Sequence, residues 1–237
     1  MKEKCDKVRA IQEQSKKVAI LFSGGRDSSL AACLLALSGY KIYLLSFYSG
    51  LGIKSDISNY RFQELRERFP ENIVDRVVLP TFGLVRRIAI VNIENDFARF
   101  KVNLILLGEK LAMNTAATVF CLSHNIRVLA DGSSGYQQNL AEQLPEALAL
   151  FRNFHSEYGI EYQTPIASFR SEDEVKYLLM EMGISTKSLE GISIFADSFS
   201  QPSPEIVKSY LEEKIPVCRE HIKLMLPSID GSKDVHP

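Results

Sequence analysis

The sequence lacks the features that mark metal-binding, exported and membrane proteins. Its four cysteines are scattered without a CxxC pair and its four histidines are dispersed, so neither a zinc cluster nor a disulfide framework is predicted. No apolar run approaches the ~20 residues that cross a bilayer, and the polar N-terminal segment lacks the apolar core of a signal peptide. We therefore expect a cytoplasmic chain with reduced thiols and no membrane partner.

The sequence also lacks an excess of either charge. Its 28 basic and 29 acidic residues leave a formal net charge of -1, which argues against a large nucleic-acid footprint and disfavours tRNA as a partner. A hydrophobic content of 46% is ordinary for a globular protein, and 237 residues are enough to bury a substantial core. The oligomeric state is left open, with a homodimer among the alternatives.

Two familiar phosphate-binding sequences, GxxxxGK[ST] and GxGxxG, are absent as well. What is present is SGGRDSS at 23–29, between the apolar run VAILF and the helical pattern SLAACLLAL. Gly24 and Gly25 can adopt backbone angles closed to other residues, and the following helix begins with free amide donors and a partial positive charge. The turn therefore predicts an anion site, with phosphate as the obvious anion. The alternative is a plain strand-to-helix turn in which Ser23 or Asp27 caps the helix.

Short apolar runs alternate with helical patterns through the first two-thirds of the chain. The runs predict strands at 18–23, 41–47, 75–80, 102–108 and 127–132, with helices at 28–38, 57–69, 83–98 and 109–125. This alternation predicts an α/β fold, a doubly wound, mostly parallel five-stranded sheet of the Rossmann-like kind with helices on both faces. A C-terminal helical extension follows, with helices near 139–157, after the capping box SEDE at 171–174, and over about 204–225.

The predicted elements divide the chain into three parts. We expect a polar extension over 1–16, a nucleotide-binding α/β core over 17–166, and a helical region over 167–237 packed on the same domain. In such a sheet, ligands bind beyond the carboxyl ends of the strands. The polar clusters SGGRDSS, SFYSG, GEK and ADGSSGY each follow a predicted strand, so we expect them to converge at one edge.

The string SGGxDS at the end of the first strand resembles the signature of the PP-loop ATP pyrophosphatase superfamily. That resemblance implies a doubly wound sheet that binds ATP and splits it between the α and β phosphates. Carried onto this chain, it implies that Asp27 faces Mg²⁺ and that adenine is held near Ser46 and Phe47. The nucleotide-binding set implied by the resemblance and by position is Ser23, Gly24, Gly25, Arg26, Asp27, Ser28, Ser29, Ser46, Phe47, Gly108 and Glu109.

Further segments resemble two branches of that superfamily. ADGSSGYQQNLAEQLPEALALF, IEYQTPI and GISTKSLEGISIFAD look like the 7-cyano-7-deazaguanine synthase branch, whereas NLILLGEKLAMNTAATVF is closer to the branch that makes 4-thiouridine in tRNA. The chain departs from both. The deazaguanine enzymes carry a cysteine cluster for zinc near the C-terminus, where this chain has only Cys218, and the thiolating enzymes carry an RNA-binding domain before the loop.

The resemblance implies chemistry that activates an oxygen. A carboxylate or carbonyl oxygen of a small substrate would attack the α phosphate, pyrophosphate would leave into the glycine turn, and a nitrogen nucleophile would attack the adenylated carbon. Two alternatives remain open: a sulfurtransferase that thiolates tRNA or a metabolite, and a non-catalytic regulatory module that binds ATP or AMP. The candidate catalytic residues are Asp27, Asp131 and Lys187, with Lys110 and Arg170 as further cations.

The cysteines bear on the choice between nitrogen and sulfur. Cys33 and Cys121 lie within apolar helical patterns and are predicted to fill the core. Cys218, in PVCREH, lies in a polar stretch and gives weak support to sulfur transfer.

Overall fold

The protein is described by a computed structural model that covers residues 16–53, 56–193 and 201–226. The strands in these ranges are β1 Lys17–Leu21, β2 Lys41–Tyr48, β3 Gly52–Ile53, β4 Ile73–Pro80, β5 Val128–Ala130, β6 Glu161–Gln163 and β7 Ile192–Ser193. The α-helices are α1 Arg26–Leu37, α2 Ser58–Arg68, α3 Phe82–Val85, α4 Ile93–Phe100, α5 Ile105–Ser123, α6 Pro145–Ser156, α7 Glu172–Glu181 and α8 Pro204–Met225. A π-helical segment spans Arg86–Ile90 and a 3-10 turn spans Ala141–Gln143.

Five strands form one parallel sheet in the order β4-β2-β1-β5-β6. The chain moves outward from β1 through β2 to β4, then crosses back to place β5 on the other side of β1. This reversal between β1 and β5 opens a crevice at the carboxyl ends of the two strands, where ligands bind in sheets of this kind. The predicted doubly wound α/β fold is therefore confirmed. The short strands β3 and β7 pair separately and antiparallel.

The central strands β1 and β5 are buried on both faces, and the alternation of side chains along β1 divides the core in two. Val18 and Ile20 pack with α1, α2 and α7, whereas Ala19 and Leu21 pack with α5, α6 and α8. Because both faces are covered at the centre of the sheet, these two strands are nearly continuous apolar runs. Helix α8 contributes Tyr210 and Cys218 to the half of the core that contains Ala19 and Leu21, so it packs directly on the sheet domain.

One predicted strand is wrong. The run 102–108 does not join the sheet, because helix α5 begins at Ile105 and continues to Ser123. A short apolar run fits a buried strand and a buried helix equally well, and here the apolar pattern continues for several further turns. The fifth strand is instead β6, in the segment predicted only as a connection. Helix α5 is long and apolar enough to cross a membrane, but 67% of its apolar window is buried within the protein.

The other predicted elements differ mainly at their ends. The helix predicted at 83–98 is divided into α3, the π-helical segment and α4. The capping box before α7 is confirmed, since Ser171 Oγ accepts a hydrogen bond of 3.3 Å from the Glu174 amide. Helix α8 has the predicted bounds.

Candidate functional site

A cavity of about 590 Å³ lies at the carboxyl ends of β1, β2 and β5. It holds nine of the predicted site residues in its wall, namely Ser23, Gly25, Arg26, Asp27, Ser28, Ser46, Phe47, Glu109 and Asp131. Lys110 lines it too. The structure therefore brings together residues from both sides of the crevice, as the convergence of polar clusters predicted.

The glycine turn presents the start of α1 to this cavity. Gly24 adopts φ +86°, a left-handed conformation that glycine tolerates best, and Gly25 precedes the first helical residue. No side chain caps this end of α1, so the alternative in which Ser23 or Asp27 serves as the helix cap is wrong. The helix begins with amide donors that a bound anion can satisfy.

The two serines that end the motif have different positions. Ser28 lines the cavity, and its Oγ lies 3.3 Å from the Ser23 Oγ. Ser29 is fully buried, donates a hydrogen bond of 2.5 Å to the Gly25 carbonyl, and does not line the cavity. Ser29 therefore stabilises the turn through a contact that lies outside the cavity.

The loop after β5 lies directly against the first turn of α1. A Cβ atom at Gly132 would stand 2.7 Å from the Ser28 amide nitrogen, so glycine permits this close approach. The same loop supplies Tyr136, whose hydroxyl donates a hydrogen bond of 2.6 Å to Asp27 Oδ1. Asp27 is thereby held at the cavity wall by a residue from the opposite side of the switch point.

The pKa of Asp27 is raised above its ordinary value. Burial is the main cause, and the hydrogen bond from Tyr136 opposes it. The nearby carboxylates of Glu190 and Glu172 raise the pKa further, while Arg26 lowers it. A carboxylate with a destabilised negative charge favours the approach of a cation.

Asp131 has the opposite electrostatic environment. Burial alone would raise its pKa, but the charge and hydrogen bond of Lys110 and the hydrogen bond from Tyr162 bring the pKa below its ordinary value. Lys110 Nζ lies 2.7 Å from Asp131 Oδ2, and the Tyr162 hydroxyl donates to the same oxygen over 2.5 Å. Asp131 is therefore ionised, and it positions the Lys110 ammonium at the cavity wall.

A buried polar layer holds Tyr162 in place. The imidazole of His155 stacks on the Tyr162 ring, with centroids 5.1 Å apart and planes inclined by 8°. His155 Nε2 lies 2.8 Å from Asn114 Oδ1, and Nδ1 lies 3.1 Å from Thr118 Oγ1. Burial lowers the pKa of His155 to about 3, so the ring is neutral at physiological pH. The layer connects α5 and α6 to the Lys110–Asp131 pair.

The side of the cavity formed by β2 contains a hydrogen-bond network around the partly buried Arg76. Ser46 Oγ donates to the Phe22 carbonyl over 3.1 Å and accepts from Arg76 Nε over 3.0 Å. Arg76 also donates to Ser58 Oγ over 2.7 Å. Glu109, on α5, also lines this side of the cavity. Burial raises the pKa of Glu109, and a hydrogen bond with Ser49 opposes the rise.

Several predicted residues lie away from the cavity wall. Gly24 is packed beneath the segment that contains Leu189, and Gly108 faces Ala89 and Tyr210 in the core. Lys187 and Arg170 are exposed and do not line the cavity. The expectation of a polar setting for Cys218 is wrong, because this thiol is fully buried and burial raises its pKa to about 11.

Four residues at or behind the site were not predicted from the sequence: Tyr136, Tyr162, Arg76 and Glu190. Tyr136 belongs to the cluster ADGSSGY, whose place after a strand was a usable signal. The other three carried no local signal, because each acts through a contact with a distant part of the chain.

Comparison with known proteins leaves the family of the chain unassigned. No family model matches it, and no curated protein matches it. Solved structures of similar outline include the following three. A predicted subunit of tRNA methyltransferase from Methanocaldococcus jannaschii is 19% identical, with a TM-score of 0.45, over 75% of this chain and 96% of that one.

Two further similar structures are synthetases. NMN synthetase from Francisella tularensis is 11% identical, with a TM-score of 0.49, over 96% of this chain and 90% of that one. NAD+ synthetase from Burkholderia pseudomallei is 14% identical, with a TM-score of 0.49, over 98% of this chain and 86% of that one. The order of the strands, rather than these similarities, defines the fold.

Proposed function

We propose that the chain is an ATP-dependent enzyme of the PP-loop pyrophosphatase type. It binds ATP with its β and γ phosphates over the turn from Ser23 to Ser28, and it splits ATP into AMP and pyrophosphate. In that reaction a carboxylate or carbonyl oxygen of a small substrate attacks the α phosphate and displaces pyrophosphate. A nitrogen nucleophile then attacks the adenylated carbon and releases AMP. The observation that carries this proposal is the uncapped start of α1, which faces a cavity of about 590 Å³ at the switch point of the sheet.

The residues of the turn fit a phosphate group. The Ser23 hydroxyl already donates to a carboxylate oxygen of Glu190 over 3.1 Å, so this position accepts an oxyanion. A Cβ at Gly25 would overlap the same carboxylate, so glycine at this position leaves room for an oxyanion over the turn. Asp27 is the residue placed to hold Mg²⁺, an ion that would neutralise phosphate charge and stabilise the leaving pyrophosphate.

The far wall of the cavity supplies positive charge. The Lys110 ammonium is fixed by its ion pair with Asp131 and so is preorganised toward negative charge that develops in the cavity. At the end of β2, the Ser46 side chain is occupied by Phe22 and Arg76, which leaves the backbone near Phe47 for recognition of adenine. These placements support activation of the substrate on the side of the cavity nearest β5.

The cysteines among the described residues are poorly placed to attack the activated substrate, which favours a nitrogen nucleophile. Cys33, Cys121 and Cys218 are fully buried, none lines the cavity, and burial raises their pKa values to about 12, 12 and 11. Thiols in such surroundings are poor nucleophiles, since the thiolate is the reactive form.

The test is to identify the products of ATP turnover. The protein is incubated with Mg·ATP, ammonia and a panel of small carboxylates, with bulk tRNA in a parallel series, and AMP and pyrophosphate are measured. Gly25→Ala should reduce turnover by ~100-fold or more, because several charge-assisted hydrogen bonds to phosphate are disturbed. Gly83→Ala is the matched control, since its added methyl group meets open space. Formation of ADP and phosphate in place of AMP would contradict the proposal.

A further inference from the structure

The segment from Ser185 to Gly191 crosses the opening of the glycine turn. Its first half is tied to α2, where the fully buried Arg61 donates to the carbonyls of Ser185 over 2.6 Å and of Lys187 over 2.5 Å. Glu64 accepts a hydrogen bond of 2.6 Å from the Ser185 amide. Beyond Gly191 the chain continues into β7, which pairs with β3. The segment is therefore anchored at both ends, and we call it the strap.

The middle of the strap lies on the glycine turn itself. A Cβ at Gly24 would overlap the Leu189 carbonyl oxygen, so the backbone of the strap packs against the backbone of the turn. Glu190 follows, with Oε2 accepting from Ser23 Oγ over 3.1 Å and Oε1 accepting from Ser188 Oγ over 2.6 Å. The Glu190 carboxylate thus occupies the space directly above Gly25.

That position is the one a phosphate group would take. A carboxylate and a phosphate oxygen compete for the same Ser23 donor, and both cannot occupy the space above Gly25. Like charges placed together also repel, and the Glu190 carboxylate and a polyphosphate are both negatively charged. An incoming polyphosphate therefore meets both overlap and repulsion at Glu190.

We propose that Glu190 is an internal stand-in for phosphate, and that the strap must lift from the glycine turn before a polyphosphate can bind. The inference rests on the proposed function, because it concerns access to the same nucleotide site. The anchors formed by Arg61 and Glu64 remain in place while the part from Ser188 to Gly191 moves.

The test compares binding of inorganic pyrophosphate and of Mg·ATP by calorimetry in three proteins. Glu190→Gln keeps the size of the side chain and removes its charge, so binding should tighten by about tenfold or more, since juxtaposed like charges cost several kcal/mol. Glu67→Gln is the matched control, because Glu67 is an exposed carboxylate on α2 that does not line the cavity. Its affinities should stay within about threefold of the wild type.

A second measurement follows the strap in the wild-type protein. Amide hydrogen exchange in 188–191 should accelerate when Mg·ATP is added, because these residues leave the turn. Wild-type affinity in Glu190→Gln, weaker binding by that variant, or slower exchange in 188–191 on binding would each overturn the inference while leaving the nucleotide site intact. Failure of all three proteins to bind ATP or pyrophosphate would instead contradict the proposed function, and the inference with it.

Discussion

Tyr136 donates a hydrogen bond of 2.6 Å to Asp27, joining the loop after β5 to the first turn of α1 across 109 positions of the chain. The bond crosses the switch point of the sheet, and it keeps a half-buried carboxylate ionisable in surroundings that otherwise raise its pKa. The phenol therefore positions the residue that we assign to Mg²⁺.

Tyr136→Phe tests this relationship directly. Loss of the hydroxyl removes the hydrogen bond that lowers the pKa of Asp27, so that pKa should rise further. Carboxyl-carbon NMR titration of Asp27 in the two proteins measures the change. An unaltered titration curve in the folded variant would show that the phenol does not act on Asp27.

Asp131→Asn should destabilise the protein in a way that depends on pH. The folded-state pKa of Asp131 lies below its ordinary value of 3.8, so the carboxylate stabilises the folded state above that pH, and this contribution disappears as the pH falls through the folded-state pKa. At neutral pH the variant leaves the partly buried Lys110 ammonium without its partner, which should cost about 3 kcal/mol. Urea unfolding from about pH 7 down to pH 3 should show the cost shrinking.

Asp27→Asn is the matched comparison, with the opposite sign. Its folded-state pKa is raised, so ionisation of Asp27 weakens the folded state increasingly as the pH rises above 3.8. Relative to the wild type, this variant should therefore gain stability with rising pH. Parallel pH dependence in the two variants would contradict the assignment of opposite environments.

The described thiols should be inert in the folded protein. In a Cys5→Ser background the remaining cysteines are Cys33, Cys121 and Cys218, all fully buried, with pKa values raised by burial to about 12, 12 and 11. Iodoacetamide near pH 8 should modify them only after unfolding, as mass spectrometry would show. Rapid modification of Cys218 in the native chain would restore the case for sulfur transfer.

Features encoded by neighbouring residues could be predicted from the sequence. The string SGGRDSS follows an apolar strand and opens a helix, so the turn, the carboxyl-end location and the convergence with Asp131 all follow from local patterns and from the rules of parallel sheets. The strand predicted at 102–108 is wrong because an apolar stretch of that length does not distinguish a buried strand from the start of a buried helix.

Contacts between distant parts of the chain could not be predicted in this way. Glu190 reaches Ser23 across 167 positions, and nothing in the string KSLEG indicates that its carboxylate lies over the glycine turn. Lys187, three residues earlier, was one of three predicted cations with Lys110 and Arg170, and of these three the structure places Lys110 at the cavity wall through its pair with Asp131. These positions depend on tertiary packing, which the local sequence pattern does not specify.

The central claim is that the turn from Ser23 to Ser28 holds the β and γ phosphates of ATP, and competition binding tests it most directly. Calorimetric titration of the wild-type chain with Mg·ATP is repeated in the presence of inorganic pyrophosphate, and AMP is titrated separately. We predict that pyrophosphate displaces ATP from a single site and that AMP binds ~100-fold more weakly than ATP, because it lacks the phosphates that meet the turn. Equal affinities for AMP and ATP, with ATP binding unaffected by pyrophosphate, would contradict the account.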